Sequence, residues 1–457
     1  MYVYEPKKIF IMKIFIYASV FLLFLIQSAP VSAAGFADTY GFGIRAISLG
    51  GAFSAVADDY SAAYYNPAGL SQNSGHHLSI EYFYTSPDIE VKNISGGDLI
   101  VRGPGGEVRT DPTKGSAGGG LDLQIPMIGV VLDINEIAKA PFNIQLGLAV
   151  SLPEQLDIAY RIHDYPPDQP HFFRYSDDID RITLAAGLGI EVVKDLVHIG
   201  IGTQTMLYGP GKFIIDGLSL TEENAVAQEE MGAIWQYDPL AGILLTPFGK
   251  KLKIGFSWKD EQELKIGPLP VTALAFVGDA ILEVPLVLDI NAFFVPEEFS
   301  FGLALDLDRI LVCLEADKQL WSKYEYSTTD SFNYAGSPDF DDTINYRLGV
   351  EYRFANTLAV SMGYCHQPSP VPDQSGKVSN YLDMDKDMLS LGLSYVFTDP
   401  WEIARQPVTI AGVIQYQMLQ DLKVKKDGIS GISWADQESY RVEGSVLSGG
   451  VSISLSW

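Results

Sequence analysis

Residues 451–457 read Val-Ser-Ile-Ser-Leu-Ser-Trp, so apolar and hydroxyl-bearing side chains alternate along most of the stretch. Successive side chains of a β-strand point to opposite faces of the sheet, which gives this stretch one apolar and one polar face. A strand that touches lipid on its outer face and water on its inner face needs that pattern. The stretch therefore predicts one strand of a membrane-spanning β-barrel.

Similar alternation recurs through most of the chain, in segments long enough to cross a bilayer as tilted strands. Short turns such as Lys194-Asp195 alternate with long connections such as 209–233 and 319–344. Bacterial barrels have this asymmetry between periplasmic turns and outer loops, and they have an even number of strands. We therefore expect an all-β fold, a transmembrane antiparallel β-barrel of about 14 strands. The candidate segments lie near residues 77–91, 121–131, 142–152, 182–192, 197–207, 234–246, 251–260, 298–306, 309–317, 345–354, 357–366, 388–398, 407–418 and 444–457.

The composition is consistent with a barrel and excludes two other classes of protein. The 457 residues include 43 Gly, 24 Tyr and 23 Phe, which suit close-packed inner walls and aromatic girdles. A soluble β-rich protein could share this composition, so the alternation decides the fold. Beyond the first 33 residues, no apolar run reaches the roughly 18 residues of a membrane-crossing helix. The net charge of -26 argues against nucleic-acid binding, since neutralisation of phosphates needs a basic patch.

The first 33 residues have the features of a secretory signal peptide. Lys7, Lys8 and Lys13 precede an apolar run over residues 14–26, and residues 31–34 supply the small side chains that a signal peptidase recognises. The apolar run is short for a transmembrane helix, although a retained anchor is the alternative. We expect residues 1–33 to be removed on export.

Acidic and sulfur-containing residues suggest no cofactor or metal. The acidic segments 164–180 and 337–342 are expected to keep loops soluble, and the alternative is that divalent cations bridge them to lipopolysaccharide. Cys313 and Cys365 lie in separate predicted strands, so isolated thiols are favoured over a disulfide. Neither the cysteines nor the six histidines have the spacing of a zinc site.

A series of short motifs follows the signal peptide. They are Ala-Gly-Phe at 34–36, Leu-Gly-Gly-Ala-Phe at 49–53, Ala-Val-Ala-Asp-Asp at 55–59 and, as the most specific, Asn-Pro-Ala at 66–68. A strand motif at 346–352 extends the series toward the C-terminus. Together these motifs resemble the FadL family of outer-membrane transporters for long-chain fatty acids and other hydrophobic compounds.

The resemblance implies three parts: a signal peptide over 1–33, an N-terminal hatch over 34–75 that plugs the lumen, and the barrel over 76–457. It also implies passive transport in the bacterial outer membrane, with long-chain fatty acids as the expected substrate. The ligand would move from an apolar pocket above the hatch through a gap in the wall. Release into the bilayer avoids water exposure of about 0.8 kcal/mol per CH₂. The expected partners are a hydrophobic small molecule, fatty acid or hydrocarbon, together with membrane lipid and lipopolysaccharide, and the expected state is a monomer.

The sequence leaves two other functions to compare with transport. A FadL-like barrel used as a protein-assembly or secretion scaffold is the alternative to transport. A continuous apolar pocket above the hatch favours transport, whereas a lumen filled by polar side chains favours the scaffold. An enzyme is not expected, because no nucleophile–base set stands out among the scattered Ser and His residues.

The resemblance also indicates where ligand would be contacted. Ala34, Gly35 and Phe36 follow the predicted cleavage site, and this end of the hatch is expected to reach the ligand pocket. Phe36 and Phe53 are the apolar contacts that we expect there. Packing within the hatch is an equal alternative for both side chains.

Two proline-containing motifs mark candidate positions in the transport path. Asn66, Pro67 and Ala68 lie in the hatch, where Pro fixes φ and Asn favours a turn, so a structural bend is favoured over a direct role in the path. Pro126 removes a ladder hydrogen bond from its strand and is the candidate for the lateral opening, with an ordinary bulge or strand end as the favoured alternative.

Five charged residues are expected to meet in the lumen. Arg347, Glu351 and Arg353 share the polar face of one predicted strand, and Asp58 and Asp59 lie in the hatch. Buried charges are rarely left unpaired, because desolvation is costly. We therefore expect at least one lumen arginine to pair with a hatch carboxylate, with binding of a fatty-acid carboxylate as the rival role.

Overall fold

The structure is a computed structural model that describes most of the chain from residue 36 onward. The predicted signal peptide, and with it Ala34 and Gly35, lies outside the described residues. The described residues are 36–92, 100–103, 106–109, 116–119, 122–135, 143–152, 159–160, 171–172, 174–175, 182–208, 211–216, 226–231, 234–248, 251–277, 280–324, 339–355, 357–375, 381–398, 407–425 and 439–456.

Fourteen of the described strands form one closed antiparallel barrel. The last strand pairs with the first from His77↔Ser456 to Lys92↔Arg441, which leaves no open edge in the hydrocarbon. The predicted transmembrane β-barrel is confirmed, and each predicted segment overlaps one barrel strand. These strands are β1 (His77–Lys92), β2 (Leu123–Asp133), β3 (Ile144–Ser151), β4 (Thr183–Val193), β5 (Val197–Tyr208), β6 (Ile234–Leu245), β7 (Leu252–Lys259), β8 (Glu298–Leu307), β9 (Ile310–Gln319), β10 (Thr343–Ala355), β11 (Leu358–Gln367), β12 (Lys386–Phe397), β13 (Val408–Lys425) and β14 (Ser439–Ser456).

Burial alternates along the barrel strands. In β14, Val451 and Ile453 are exposed, whereas Ser448 and Ser452 are buried. The apolar side chains therefore face outward, as a barrel in a lipid bilayer requires, and the hydroxyl side chains face the lumen. No helix in the described part of the chain is long and apolar enough to cross a membrane.

The two cysteines are both buried and free. Cys313 lies on β9 and Cys365 on β11, and β10 runs between these two strands. The two thiols are therefore separate features of the wall.

The two ends of the barrel differ. Tight turns join β4 to β5 and β8 to β9 at what we call the short-turn end, and the long connections lie at the opposite, long-loop end. Several connections at the long-loop end contain further strands, of which Ser116–Gly119 extends the pairing of β1. These strands are Ile100–Gly103, Gly106–Arg109, Ser116–Gly119, Ala159–Tyr160, His171–Phe172, Gly211–Asp216, Val226–Met231, Gln262–Val277, Ala280–Val295 and Tyr381–Leu382.

Residues 36–75, which we call the inner segment, pack inside the barrel. The main cluster of buried apolar residues is formed by inner-segment side chains such as Phe42, Leu49 and Phe53 together with the inward-facing side chains of the wall. The core of the protein therefore lies in the lumen. The helices of the described residues are Phe36–Tyr40, Ile44–Ser48 and Ala62–Tyr65, with 3₁₀ helices at Pro67–Gln72 and Trp321–Lys323.

Candidate functional site

Asn66-Pro67-Ala68 forms a bend that is fastened to the wall. The Asn66 side-chain oxygen accepts a hydrogen bond from the Ala68 N–H at 3.1 Å, and Pro67 begins the 3₁₀ helix Pro67–Gln72. Asn and Pro are favoured in these two positions. The Asn66 amide donates to the carbonyls of Ser54 at 2.8 Å and of Ile243 on β6 at 3.3 Å. The bend is thus part of the attachment of the inner segment, and a direct role in the transport path stays a prediction.

A ring of wall glycines lets the inner segment touch the backbone of the barrel. A Cβ added at Gly200 would lie 2.1 Å from a backbone nitrogen of the inner segment, and a Cβ added at Gly363 would lie 2.0 Å from another. A Cβ added at Gly242 would lie 2.0 Å from the Asn66 side chain. Glycine allows such a close approach because it has no Cβ. We call this ring the glycine belt. Its members are Gly129, Gly147, Gly187, Gly189, Gly200, Gly242, Gly255, Gly302, Gly349, Gly363, Gly392 and Gly450.

Arg347 joins the wall to the inner segment. Its Nε donates to Asp317 Oδ2 at 2.5 Å, and its Nη1 donates to the Gly50 carbonyl at 3.4 Å. Gly51 has a φ of 76°, a left-handed conformation that costs a residue with a Cβ about 1–2 kcal/mol. A Cβ there would also lie 2.2 Å from Arg347 Nη1. The backbone turn at Gly50 and Gly51 is therefore shaped around the arginine.

A second wall residue holds the inner segment next to this turn. Glu315 on β9 accepts hydrogen bonds from the Ser54 N–H at 2.7 Å and from the Ser54 hydroxyl at 2.5 Å. Both residues are buried, so these two hydrogen bonds are protected from solvent.

The predicted pairing of a wall arginine with a carboxylate of the inner segment differs from the arrangement in the structure. Arg45 on the inner segment pairs with Asp58 and lies 3.5 Å from Glu351 Oε2 on β10. Arg353 pairs with Asp306 at 3.0 Å and with Glu351 at 2.9 Å. Asp58 pairs with an arginine of its own segment, whereas the wall arginines Arg347 and Arg353 pair with carboxylates of the wall. The ion-pair link therefore runs from a segment arginine to a wall glutamate.

The two neighbouring aspartates have different partners. Asp59 accepts hydrogen bonds from the Ser61 N–H at 2.8 Å and from its hydroxyl at 2.6 Å, so it stabilises the turn before the helix Ala62–Tyr65. Burial raises the pKa of Asp58, but attraction to Arg45 and Lys253 outweighs this effect and holds the pKa below its ordinary value. Asp58 is thus an ionised partner of Arg45.

The two predicted phenylalanine contacts differ in what they touch. The Phe36 ring lies 5.5 Å from the ring of Phe83 on β1 and 5.5 Å from the ring of Tyr40. Phe53 packs within the inner segment, with its ring 5.5 Å from that of Tyr65. Phe36 is therefore the one of the two that joins apolar residues toward the long-loop end. We use the name outer apolar cluster for eight members of the main buried cluster, which are Phe36, Tyr40, Phe83, Ile89, Leu123, Tyr175, Leu382 and Met384.

Two buried cations border the outer apolar cluster. Lys386 is fully buried, donates from Nζ to the Thr39 carbonyl at 3.3 Å and lies 5.3 Å from the ring centroid of Tyr175. Arg174 Nη1 lies 3.3 Å from Asp383 Oδ2, and Arg174 Nη2 is buried without a hydrogen-bond partner among the described residues. Two cations thus share one neighbouring carboxylate.

The environment of the shared carboxylate, Asp383, disfavours its ionised form. Burial raises the pKa of Asp383 above its ordinary value, against the lowering effect of Arg174 and Lys386. The site therefore sets two basic side chains, Lys386 and Arg174, against one carboxylate that burial disfavours in its ionised form. Sequence reasoning missed these residues, because the predicted strand began at residue 388 and Arg174 lay within a long acidic connection.

Pro126 leaves one seam of the wall incomplete. Its carbonyl accepts a hydrogen bond from the Leu152 N–H at 2.9 Å, but the proline has no N–H to donate in return. Strand β3 pairs with β2 only from Met127↔Ser151 toward the short-turn end. Within the described residues, the β2–β3 seam is therefore weak at its long-loop end.

A cavity of about 490 Å³ with a mixed polar and apolar lining lies at the short-turn end of the inner segment, and we call it the inner cavity. Its lining includes Arg45, Asp58, Glu351 and Arg353, and several serines of the wall. The inner cavity and the outer apolar cluster thus lie toward opposite ends of the inner segment.

The sequence pattern of the family described as "Outer membrane protein transport protein (OMPP1/FadL/TodX)" matches residues 183–448. The chain is also 22% identical to alkane uptake protein A of Marinobacter nauticus over 456 residues, which covers 92% of each chain.

Two solved structures resemble the fold. A Pseudomonas aeruginosa FadL homologue superposes with a TM-score of 0.57 and 17% identity, covering 94% of this chain and 99% of that one. The toluene transporter TodX of P. putida superposes with a TM-score of 0.54 and 15% identity, covering 92% of this chain and 99% of that one. The family pattern extends over more than half of the sequence, and the chain therefore belongs to the OMPP1/FadL/TodX family of bacterial outer membrane transport proteins.

Proposed function

We propose that this protein passes hydrophobic molecules with an acidic head group, above all long-chain fatty acids, through the bacterial outer membrane by passive diffusion. Its family is one of outer membrane transport, and one structural relative is a toluene transporter. The observation that carries the choice of substrate is the pair of buried cations, Lys386 and Arg174, beside the outer apolar cluster.

The chemistry of this site suits an amphiphile with a carboxylate. The acyl chain would replace water contacts with contacts to apolar side chains, which contributes about 0.8 kcal/mol per CH₂. The carboxylate would supply the missing anion for Lys386 and for Arg174 Nη2. An alkane or toluene, for which two relatives are named, has no anionic group to offer to either basic side chain.

The inner segment would act as the hatch, and ligand would loosen its first helix. The Thr39 carbonyl accepts hydrogen bonds from Lys386 at 3.3 Å and from Gln417 at 3.2 Å. A carboxylate bound to Lys386 would compete with that carbonyl and release the helix Phe36–Tyr40 from the wall. The ligand would then leave sideways at the β2–β3 seam beside Pro126, where the wall lacks a hydrogen bond.

Lys386→Met tests the choice of substrate. Hydrogen bonds to charged groups contribute about 1.5–3 kcal/mol, so we expect oleate to bind the purified protein roughly 10–100-fold more weakly. Hexadecane binding should stay unchanged, because the acyl chain contacts remain. The measurement is a competition titration with a fluorescent fatty acid. Lys318→Met, at an exposed lysine on β9, is the matched control. Equal loss of oleate and hexadecane binding would contradict a role in head-group recognition.

Pro126→Ala tests the exit. Alanine restores an N–H that can donate to the Leu152 carbonyl, and one added hydrogen bond contributes about 1 kcal/mol. We expect oleate uptake to fall about fivefold at unchanged binding affinity. Pro239→Ala is the matched control, since Pro239 on β6 likewise accepts from one partner, the Asp260 N–H at 3.0 Å. If both variants transport at the wild-type rate, the exit lies elsewhere in the wall.

The scaffold alternative receives less support from the described residues. It calls for a lumen filled by polar side chains, whereas apolar side chains such as Phe36, Tyr40 and Phe83 lie together toward the long-loop end. A protein held by the loops would also give no reason for buried cations beside that cluster.

A further inference from the structure

Four buried polar side chains lie side by side on the inner face of the wall, toward the long-loop end of β9 to β12. Asp317 on β9 pairs with Asn345 on β10, and Gln367 on β11 pairs with Lys386 on β12. The register of β10 with β11, continued by one residue, brings Asn345 beside Gln367 as well. We call these four residues the polar row.

The two amides of the polar row have no hydrogen-bond partner among the described residues. Asn345 and Gln367 are 0% and 1% exposed, and the nitrogen and the oxygen of each side chain are both buried and unpaired. Thr343 Oγ1, on the same face of β10, and Asp317 Oδ1 are also buried and unpaired. Native proteins pair nearly all of their buried polar groups, because an unpaired group costs free energy. The closed barrel thus keeps donors and acceptors that a bound molecule could satisfy.

The amides lie between two contacts that hold the inner segment. Lys386, at one end of the polar row, donates to the Thr39 carbonyl at 3.3 Å. Arg347, two residues from Asn345 on the same face of β10, donates to the Gly50 carbonyl at 3.4 Å. The amide pair therefore adjoins the lysine that the proposed function assigns to the head group of the ligand.

The amide pair suits a neutral group that both donates and accepts hydrogen bonds. An amide side chain offers an acceptor oxygen and two N–H donors, whereas an ionised carboxylate only accepts. A hydroxyl can donate to an amide oxygen and accept from an amide nitrogen at the same time. Neighbouring strands lie about 4.8 Å apart, so a hydroxyl bound beside Gln367 lies within a few carbon atoms of a carboxylate on Lys386.

We infer that the site takes fatty acids with a hydroxyl group near the carboxyl end, such as 3-hydroxy acids, and that Asn345 and Gln367 bind this hydroxyl. The inference rests on the proposed function, because it narrows the substrate class of the same site. Lys386 binds the carboxylate, and the amide pair gains hydrogen bonds that it lacks in the closed barrel. A fatty acid without the hydroxyl leaves the amides unpaired and binds more weakly.

The test is a competition titration of the purified protein with 3-hydroxyhexadecanoate and hexadecanoate against a fluorescent fatty acid. We expect the wild type to bind the 3-hydroxy acid about tenfold more tightly than hexadecanoate. A hydroxyl at the far end of the chain, in 16-hydroxyhexadecanoate, should bring no gain. Asn345→Leu with Gln367→Met should bring the ratio of the two dissociation constants close to one. Gln204→Met removes another buried amide of the wall, on β5, and as the matched control should keep the wild-type ratio.

A stability measurement shows whether the amides are structural instead. Replacement of unpaired buried amides by apolar side chains of similar shape breaks no hydrogen bond. The urea midpoint of the double variant in lipid vesicles should therefore equal or exceed that of the wild type. A midpoint below the wild-type value would overturn the inference, because the amides would then have partners in the closed barrel.

The outcomes separate this inference from the proposed function. Equal binding of the 3-hydroxy acid and hexadecanoate by the wild type, or a preference that the double variant keeps, would overturn the inference. The proposed function stands in that case if Lys386→Met still weakens the binding of both acids. Conversely, a preference that only the double variant loses supports the hydroxyl site. If Lys386→Met then leaves both affinities unchanged, the head-group role of Lys386 is refuted and the hydroxyl site stands.

Discussion

Gly200→Val is expected to make the closed barrel leak hydrophilic solutes. A Cβ at this position lies 2.1 Å from the Ala68 nitrogen, and valine adds two methyl groups toward the helix Pro67–Gln72. Backbone atoms on both sides leave no flexible side chain to move aside, so the inner segment itself must shift. Overpacking of this kind costs about 1–3 kcal/mol or more. The fraction of barrels with a displaced inner segment should therefore rise roughly tenfold or more. We expect higher vancomycin susceptibility of cells and open channels in planar bilayers.

Two wall glycines outside the glycine belt supply the control. Gly449→Val and Gly412→Val place the new Cβ no closer than 3.4 Å and 3.6 Å to another atom, and neither glycine contacts the inner segment. Both variants should stay closed. Folding of each variant is checked by heat-modifiable migration in gels. A folded Gly200→Val barrel with wild-type conductance would show that the glycine belt does not hold the inner segment in place.

Arg347→Met is expected to lower the free energy of unfolding by about 3–5 kcal/mol, because removal of one partner leaves an uncompensated buried charge. The Arg347 and Asp317 side chains are only 12% and 2% exposed. Glu315 lies next to the same arginine, so two carboxylates lose their cation. Loss of the bond to the Gly50 carbonyl should also loosen the inner segment. The measurement is urea unfolding in lipid vesicles, combined with vancomycin susceptibility.

Two variants separate charge burial from loss of an arginine. Arg441→Met removes the same kind of side chain from an exposed pair with Asp421 and should change stability little. Asp317→Asn added to Arg347→Met should recover part of the loss, because it removes one unpaired charge. Equal destabilisation by Arg347→Met and Arg441→Met, without recovery in the double variant, would refute the anchoring role of Arg347.

The barrel could be predicted from the sequence because its signal is local. Apolar and polar residues alternate along each strand, as in β14, and this alternation determines which face contacts lipid and which faces the lumen. The strand length follows from the thickness of the bilayer. The glycine belt is also recognisable in the sequence, since glycines such as Gly200, Gly242 and Gly363 fall on the inner face of predicted strands. Their meaning was missed because an inward glycine is informative only when the backbone that approaches it is known.

The ion pairs could not be predicted because partner choice depends on distances in three dimensions. Arg347, Glu351 and Arg353 were correctly placed on one face of a strand, but the register with β9 brings Asp317 beside Arg347. Lys386 was overlooked for a related reason. Its burial depends on the first helix of the inner segment, which lies more than 300 positions earlier in the sequence.

The most direct test of transport is uptake of radiolabelled oleate by cells that lack their own fatty-acid transporter. We predict that cells expressing this protein accumulate oleate faster than cells with an empty vector, and that Lys386→Met removes most of that gain. Uptake equal to the empty vector, with the folded wild-type protein present at the cell surface, would contradict the account.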